Sequence, residues 1–297
     1  MIIRAPAKLN LTFQIVAKRE DGYHDILSVM QTVDIFDYLT IEKAAGYSLT
    51  GAQVSTVSES LVTRAVRAVE HAVGRSLPVS IKLDKVIPIG AGLGGGSSDA
   101  ASTMIALWLL YELNIEATEL LRIGAEVGSD VPFFLRGGKC LVEGRGEIVT
   151  PLEPEKGNFF YLVFRPHRRL SSREAYEEYD RTGKTFEQQA REKCPQLGAL
   201  VPSFGPGVVS GKGPATWVQI WSYGPPANAL DTWVRNFDGD IFWCRSFHAV
   251  VNPVDDVGKE TPSDFARETY WYVGYPALDP YYAALVVDGV ANIWGTP

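Results

Sequence analysis

A glycine-rich segment at residues 88–101, PIGAGLGGGSSDAA, contains the residue types that could surround a phosphate group. Glycine permits positive φ and lets the backbone approach a ligand closely, so successive N–H groups can point at one anion. An apolar helix is predicted to begin at about residue 98, and the positive end of its dipole would favour the same anion. The candidate phosphate-binding residues are Pro88, Gly90, Gly92, Leu93, Gly94, Gly95, Gly96, Ser97 and Ser98.

The surroundings of this segment distinguish it from two common nucleotide-binding loops. No lysine occupies the position that a GxxxxGK[ST] loop requires, and no βαβ unit with an acidic residue at the next strand is evident. A flexible surface loop is the alternative interpretation. A flexible linker would not normally lie between a short strand and a fully apolar helix, so the pattern favours phosphate binding. Ser97 and Ser98 could bond phosphate oxygens or help to hold Mg²⁺.

Two charged residues have chemistry that suits phosphoryl transfer to an alcohol. An aspartate such as Asp130 could accept the hydroxyl proton, and a lysine such as Lys8 could orient the hydroxyl and stabilise negative charge. Simpler roles stay open for both residues. Asp130 precedes Val131-Pro132 and could be a helix N-cap or a turn residue. Lys8 could be a solvated residue on the polar face of a strand.

The strand that would carry Lys8 is predicted from an alternating pattern. Apolar residues occupy the odd positions from 9 to 15 and polar residues the even ones, which is typical of a half-buried strand. Lys8 and Asn10 would share its polar face.

Hydrophobic patterns elsewhere predict an α+β protein. Strands are predicted at 29–41, 79–83 and 159–164, a hairpin at 140–149, and helices at 58–73, from about 98 to 113 and at 118–127. A turn at 19–24 has Asp21-Gly22 at its tip. Gly74 is a plausible stop for the first helix, and Gly128 would end the third.

The overall composition is that of a globular protein without a large charge bias. The chain is 46% hydrophobic and 21% charged, and its formal net charge of -7 does not indicate binding to nucleic acid or anionic membranes. Its three cysteines, Cys140, Cys194 and Cys244, are widely separated, which favours a reducing cytoplasm. The N-terminus matches no signal or transit peptide, and no apolar run is long enough to span a bilayer.

The composition changes near residue 213. Residues 213–297 hold six of the seven tryptophans, and their four basic and ten acidic residues give a net charge of -6. Residues 1–212 therefore carry only -1. A divergent second domain, a fused unrelated segment and out-of-frame sequence are the alternatives for this tail.

Five segments resemble the GHMP kinases, and within them most closely the diphosphocytidyl-methylerythritol kinase branch. The triple glycine followed by two serines is most similar to that branch. The five segments span about 180 residues in the family's order. They are APAKLNLTFQI at 5–15, DGYHDILSVMQTVDIFDYLTI at 21–41, the glycine-rich segment, GSDVPFFLRGGKCLVEGRGE at 128–147 and, more weakly, SSREAYEEYD at 171–180.

The resemblance implies a two-lobed GHMP kinase fold. Residues 1–150 would form a ribosomal-protein-S5-like, ATP-binding lobe, and residues 151–297 a ferredoxin-like lobe that is atypical after about residue 212. The implied reaction is transfer of the γ-phosphoryl group of ATP, with Mg²⁺, to the 2-hydroxyl of 4-diphosphocytidyl-2-C-methylerythritol in the non-mevalonate isoprenoid pathway. Lys8 and Asp130 would be the catalytic pair. The enzyme would act in the cytoplasm as a monomer or homodimer, without nucleic-acid or membrane partners.

The resemblance also implies a substrate site for the cytidine diphosphate group. His24 would bond the edge of the cytosine, and Tyr23 would pack against its ring. Tyr176 is a candidate second stacking residue, and Asn10 would bond the acceptor end. Without the resemblance, His24 would be an ordinary surface histidine and Tyr176 an ordinary helix contact. No dedicated protein metal site is expected, because Mg²⁺ would arrive with ATP.

The resemblance weakens after residue 180. SGKGPATWVQIW at 210–221 has part of the family's second glycine motif, but it comes about 30 residues early and has Lys212 where a small residue is expected. Two other functions stay open. The chain could be a GHMP kinase for homoserine, mevalonate or a sugar, which the GYH turn and triple glycine disfavour. It could also be a non-catalytic nucleotide-binding relative, which Lys8 and Asp130 disfavour.

Overall fold

The computed structural model describes the chain as two compact units. The first contains the described residues from 1 to 153 together with Ser246, and the second contains those from 160 to 245. Most of the tail that the sequence marks as atypical lies outside the described residues, as does Lys212. The described ranges are 1–51, 60–153, 160–167, 172–195, 197, 208–211, 213–220 and 239–246.

The first unit is built on a seven-stranded sheet in which one long strand pairs with four others. That strand, β3 (His24–Lys43), pairs antiparallel with β1 (Ile2–Asn10), β2 (Gln14–Lys18), β5 (Val79–Asp84) and β6 (Lys139–Gly144). Two further strands lie at the ends of the strand order. They are β4 (Ser48–Thr50), which is parallel to β5, and β7 (Ile148–Pro151), which is antiparallel to β6.

The length of β3 brings distant parts of the sequence together. Its N-terminal half pairs with β6 from Ile26 to Gln31, and its C-terminal half pairs with β5 from Tyr38 to Lys43. The strand predicted at 29–41 is therefore confirmed, but it begins earlier than the prediction. The pairing of β1 with β3 shifts register beside Pro6, where the missing N–H removes a possible hydrogen bond.

Four helices lie in the described part of the first unit, and the longest of them is mostly buried. Helix α2 has mainly apolar or small residues, so it packs against neighbouring helices and against β1 and β3 over most of its surface. The predicted helices are confirmed, and α4 is an additional short one. The bounds are α1 (Leu61–Val73), α2 (Gly95–Leu110), α3 (Ala117–Val127) and α4 (Val131–Arg136).

The ends of α1 follow the sequence signals. Ser60 caps its N-terminus by accepting a hydrogen bond from the N–H of Val62. Gly74 ends it in the left-handed conformation, with its N–H bonded back to the last turn, as its predicted role as a stop requires.

One predicted strand is wrong. The alternation from residue 9 to 15 crosses a break between β1 and β2 instead of forming one strand. At the break, the N–H groups of Leu11 and Thr12 both donate to the carbonyl of Val29. The hydroxyl of Thr12 in turn accepts a hydrogen bond from the N–H of Val29. These bonds hold the chain to β3 while its direction changes.

The second unit contains a four-stranded antiparallel sheet and two helices among its described residues. The strand order is β11-β8-β10-β9, and Gly211 and Gly213 lie between β9 and β10 in the sequence. The ferredoxin-like arrangement of this lobe stays a prediction. The bounds are β8 (Phe160–Pro166), α5 (Ser172–Thr182), α6 (Phe186–Lys193), β9 (Val208–Val209), β10 (Thr216–Ile220) and β11 (Gly239–Arg245).

None of the helices that the structure describes combines the length and the apolar character needed to cross a membrane.

Candidate phosphate-binding site

The glycine-rich segment forms a tight loop that leads directly into α2. Gly94, the N-cap of α2, has φ 74°, a left-handed conformation that favours glycine. The helix begins at Gly95, three residues before the predicted start, because this turn at Gly94 allows the helical path to begin within the glycine run. Pro88 is half-buried at the start of the loop, and Leu93 is buried at its centre.

The N-terminus of α2 is open to an anion. No side chain caps it, and its first turn contains no acidic residue. The first backbone hydrogen bond of the helix runs from the N–H of Ser98 to the carbonyl of Gly94. The N–H groups of Gly95, Gly96 and Ser97 therefore have no partner within the helix, and they lie at the positive end of its dipole. Phosphate oxygens could accept hydrogen bonds from these N–H groups, and their negative charge would be favoured by the helix dipole.

Lys8 and Asn10 lie next to this loop on β1, and both are buried. The backbone N–H of Lys8 donates to the carbonyl of Leu93 at 3.0 Å, which ties β1 to the centre of the loop. The Lys8 ammonium donates to the side-chain oxygen of Asn10. Asn10 in turn donates to the hydroxyl of Ser28 at 2.8 Å, and Ser28 donates to the carbonyl of Thr12 at 2.6 Å. This chain of bonds fixes which way the Asn10 amide faces.

Gly94 is the point at which three elements meet. A Cβ atom built on Gly94 would lie 2.7 Å from a ring carbon of Phe134 in α4 and 3.0 Å from the Cγ of Lys8 in β1. A Cβ atom on Gly128 would lie 4.0 Å from the hydroxyl of Ser97. The segment that carries Asp130 therefore runs beside the start of α2, on which Lys8 also converges.

Asp130 occupies the N-cap position of α4, as one of its two predicted roles suggested, but its side chain makes no capping hydrogen bond. The side chain is half-buried. Pro132 lies in the first turn of α4, where a missing N–H costs nothing. The carboxylate is thus held at a defined place by the helix that follows it, without being used to cap that helix.

The turn between β6 and β7 connects Asp130 with the predicted base-binding residues. A Cβ atom on Gly146 would lie 3.0 Å from the carbonyl of Ser129, so the turn packs against the residue before Asp130. The guanidinium of Arg145, in the same turn, lies 5.0 Å from the centre of the Tyr23 ring. Sequence reasoning did not single out Arg145.

The two residues of the GYH turn differ in exposure. Tyr23 is 54% exposed, so one face of its ring is available to a flat ligand. His24 is 6% exposed at the start of β3, so it is not the surface histidine that its residue type alone would favour.

Tyr176 belongs to the second unit. Its ring makes an edge-to-face contact with Phe186, at 4.9 Å between ring centres, and so joins α5 to α6. This is the ordinary helix contact that the residue type predicts, and the stacking role of Tyr176 stays a prediction.

Three buried titratable side chains lie beneath the loop, and sequence reasoning missed all of them. The ammonium of Lys85 donates to Asp37 and, at 2.7 Å, to Asp99. Burial raises the pKa of Asp99, the charge of Lys85 lowers it and the charge of Asp37 raises it, and the net result is a pKa of about 8. Burial lowers the pKa of Lys85, but the attraction of Asp99 and Asp37 outweighs burial, so its pKa lies above the usual value.

Among the described residues, no three His, Cys, Asp or Glu side chains are grouped as metal ligands. The three cysteines that the chain contains are buried and form no disulfide bond.

Known proteins resemble this chain in sequence and in fold. The family described as GHMP kinases N terminal domain matches residues 60–138, a range that includes the loop, α2 and α4. The 4-diphosphocytidyl-2-C-methyl-D-erythritol kinase of Carboxydothermus hydrogenoformans is 43% identical over 195 residues, which cover 65% of this chain and 67% of that relative. The chain belongs to the 4-diphosphocytidyl-2-C-methyl-D-erythritol kinase family.

Other members of the family give the same result. The kinase of that name from Caldanaerobacter subterraneus subsp. tengcongensis is 44% identical over 183 residues, or 61% of this chain and 63% of that relative. The matched region thus spans about two thirds of the length of these relatives. A crystal structure of 4-(cytidine 5'-diphospho)-2C-methyl-D-erythritol kinase is similar with a TM-score of 0.64 at 28% identity, covering 83% of this chain and 100% of that chain. The predicted α+β GHMP kinase fold is confirmed, whereas the roles of individual site residues stay predictions.

Gly94→Ala should destabilise the protein and weaken nucleotide binding. The added methyl group would collide with Phe134 and force left-handed backbone on alanine, at a combined cost of about 2–4 kcal/mol. Gly96→Ala is the matched control, since its nearest neighbour would be a Leu61 carbon at 3.6 Å. Within a helix, alanine stabilises by up to about 1 kcal/mol over glycine. Urea unfolding of both variants measures the difference, and equal effects would contradict the close approach at Gly94.

Asp99→Asn should change how stability depends on pH. The raised pKa means that the folded protein keeps the Asp99 proton up to about pH 8, while the unfolded chain loses it near the ordinary aspartate pKa of 3.8. Because the unfolded chain binds fewer protons in this window, the free energy of unfolding should fall as pH rises from about 4 to about 8. The slope should be at most about 1.4 kcal/mol per pH unit, and Asp99→Asn should lack it.

Urea unfolding of the wild type and Asp99→Asn at several pH values between about 5 and 8 tests this expectation. Asp84→Asn is the control, because it removes the same charge from a carboxylate that is 50% exposed and paired with Lys82. A constant difference between wild type and Asp99→Asn would mean that Asp99 is ionised throughout.

Proposed function

We propose that this chain is an ATP-dependent kinase that phosphorylates the 2-hydroxyl of 4-diphosphocytidyl-2-C-methyl-D-erythritol. The observation that carries the proposal is the meeting of β1, α2 and α4 at Gly94, which brings Lys8 and the Asp130 segment to the uncapped start of α2. The names of the relatives support the choice of acceptor.

The donor nucleotide would bind with its phosphates at the start of α2. The residues present fit such a group, because the N–H groups of Gly95, Gly96 and Ser97 lack helical partners and no carboxylate stands in the first turn to repel it. Mg²⁺ would accompany the nucleotide and neutralise charge on its phosphates. The residues from 88 to 98 would then act through their backbone more than through their side chains.

Asp130 and Lys8 would handle the proton and the charge of the acceptor. A carboxylate that caps no helix is available to accept the proton of the 2-hydroxyl. Lys8, buried and held by Asn10, would present its ammonium to the attacking oxygen and stabilise the charge that develops there. Asn10 would contribute by fixing the ammonium as well as by bonding the acceptor.

The cytidine end would bind at the GYH turn. The exposed face of Tyr23 can stack on a base. The guanidinium of Arg145 makes a cation–π contact with the same Tyr23 ring. His24, at the adjacent start of β3, would bond the base edge. A second stacking residue, Tyr176, is proposed from the second unit, and residues 1–150 are proposed as the nucleotide-binding domain. Three buried cysteines that form no disulfide bond are consistent with the cytoplasm as the site of action.

Asp130→Asn should lower kcat by about 10²- to 10⁴-fold, the usual contribution of a positioned general base. The KM values for both substrates should change much less, because the amide keeps the shape of the carboxylate. Steady-state phosphorylation of 4-diphosphocytidyl-2-C-methyl-D-erythritol by ATP provides the measurement, with mevalonate and homoserine as alternative acceptors. Asp84→Asn, at an exposed carboxylate of β5, is the matched control and should leave kcat unchanged.

Two outcomes would overturn the proposal. Turnover of mevalonate or homoserine in preference to the cytidine substrate would show that the chain is a different GHMP kinase. ATP binding without turnover of any acceptor would show a non-catalytic nucleotide-binding protein.

A further inference from the structure

The cluster of Lys85, Asp37 and Asp99 lies outside the proposed catalytic pair, yet it touches both ends of the glycine-rich loop. Lys85 comes just before the loop, Asp99 lies in the first turns of α2 just after it, and Asp37 is in β3. The side chains are almost completely buried, at 8% exposure for Lys85, 0% for Asp37 and 3% for Asp99.

Asp37 fixes the entrance of the loop to the sheet. One of its carboxylate oxygens accepts hydrogen bonds from the backbone N–H groups of Val86 and Ile87, at 2.6 and 2.8 Å. Its other oxygen accepts from the ammonium of Lys85. Three consecutive residues are thus bonded to a single carboxylate, and that carboxylate is held by the longest strand of the sheet.

Lys85 carries this attachment across to the exit of the loop. The same ammonium that bonds Asp37 also donates to Asp99 at 2.7 Å. A Cβ atom on Gly95 would lie 3.1 Å from this ammonium and 3.0 Å from Ile87, so the start of α2 rests directly on the cluster. The two ends of the loop are therefore joined by one bridging cation.

The cluster is not what stability alone would select. Burying a lysine together with two acidic side chains costs solvation energy, and replacing such groups by apolar residues is often neutral or stabilising. One oxygen of Asp99 has no hydrogen-bond partner among the described residues, which adds to the cost. The cluster is costly to bury and it bridges both ends of the loop. Control of the loop's conformation explains these two features better than a contribution to stability does.

We propose that Lys85, Asp37 and Asp99 form a clamp that holds the glycine-rich loop in its nucleotide-binding conformation, with Lys85 as the positioning residue. The inference rests on the proposed nucleotide site at the start of α2. The clamp would act on the loop and not on the transferred group or the acceptor. Its loss should therefore weaken binding of ATP while leaving the chemical step nearly intact once ATP is bound.

Lys85→Met in the full chain tests the clamp by separating KM from kcat. The KM for ATP, and the Kd for the non-hydrolysable analogue AMP-PNP, should rise by about tenfold or more, the scale of coupling between linked sites. The kcat at saturating ATP and the KM for the alcohol substrate should stay within about threefold of wild type. A role confined to stability would lower the amount of active protein and the Tm while leaving both KM values unchanged, and that result would overturn the proposal.

Substitutions at Asp99 provide a second pair of variants. Unlike Lys85→Met, they keep the lysine that bonds Asp37. Asp99→Asn keeps an oxygen that can accept from Lys85, so AMP-PNP binding should be retained, whereas Asp99→Ala should lose it to the same extent as Lys85→Met. Hydrogen exchange should be faster in Asp99→Ala for the amides of residues 88–98 and unchanged for those of α1 at 61–73. Equal binding of AMP-PNP by Asp99→Ala and wild type, or unchanged exchange in the loop, would refute the clamp.

The wild-type protein separates failure of this inference from failure of the proposed function. If wild type itself does not bind AMP-PNP, the nucleotide site is wrong and the clamp has no loop to serve. If wild type binds and all three variants bind equally well, the nucleotide site stands and the clamp alone is refuted.

Discussion

The absence of a side chain at Gly94 is the constraint on which the rest of the candidate site depends. Phe134 and the Lys8 side chain both occupy the space that a Cβ atom would need. The left-handed turn at the same residue starts α2 with its N–H groups uncapped. One residue therefore sets both the approach of β1 and α4 and the direction of the helix that would face the phosphates. A larger residue at this position would push β1 or α4 away from the start of α2.

Buried polar groups around Gly94 are held by specific partners. Lys8 and Asn10 bond each other, and Ser28 completes the set, so that these polar side chains are buried with hydrogen-bond partners. Beneath the loop, Lys85 is held by two carboxylates. The loop thus lies between two differently arranged lysines, one bonded to an amide and one to carboxylates.

The parts of the fold that could be predicted from sequence are those where local signals are complete. Helix α1 has a serine cap, an apolar stripe and a terminal glycine, and each signal is used as expected. The strand predicted at 9–15 failed because a period of two continues by chance across the break near Leu11, and periodicity carries no information on chain direction. The extra helix α4 is only six residues long, too short for a helical period to be recognised. The glycine-rich loop was identified because its run of glycines permits left-handed backbone and close approach to a ligand, which other residue types rarely allow.

The cluster of Lys85, Asp37 and Asp99 could not be predicted from the sequence as a whole. Lys85 directly precedes the loop and Asp99 directly follows its serines, so both were visible beside a motif already singled out. Asp37 is 48 residues before Lys85 and appears in sequence as one more polar residue of a long strand. Only the pairing of β3 with β5, which sets Tyr38 opposite Asp84, brings that carboxylate to the loop. A buried acid on a central strand is costly unless something nearby uses it, and here the sheet register supplies both the lysine and the loop N–H groups that do.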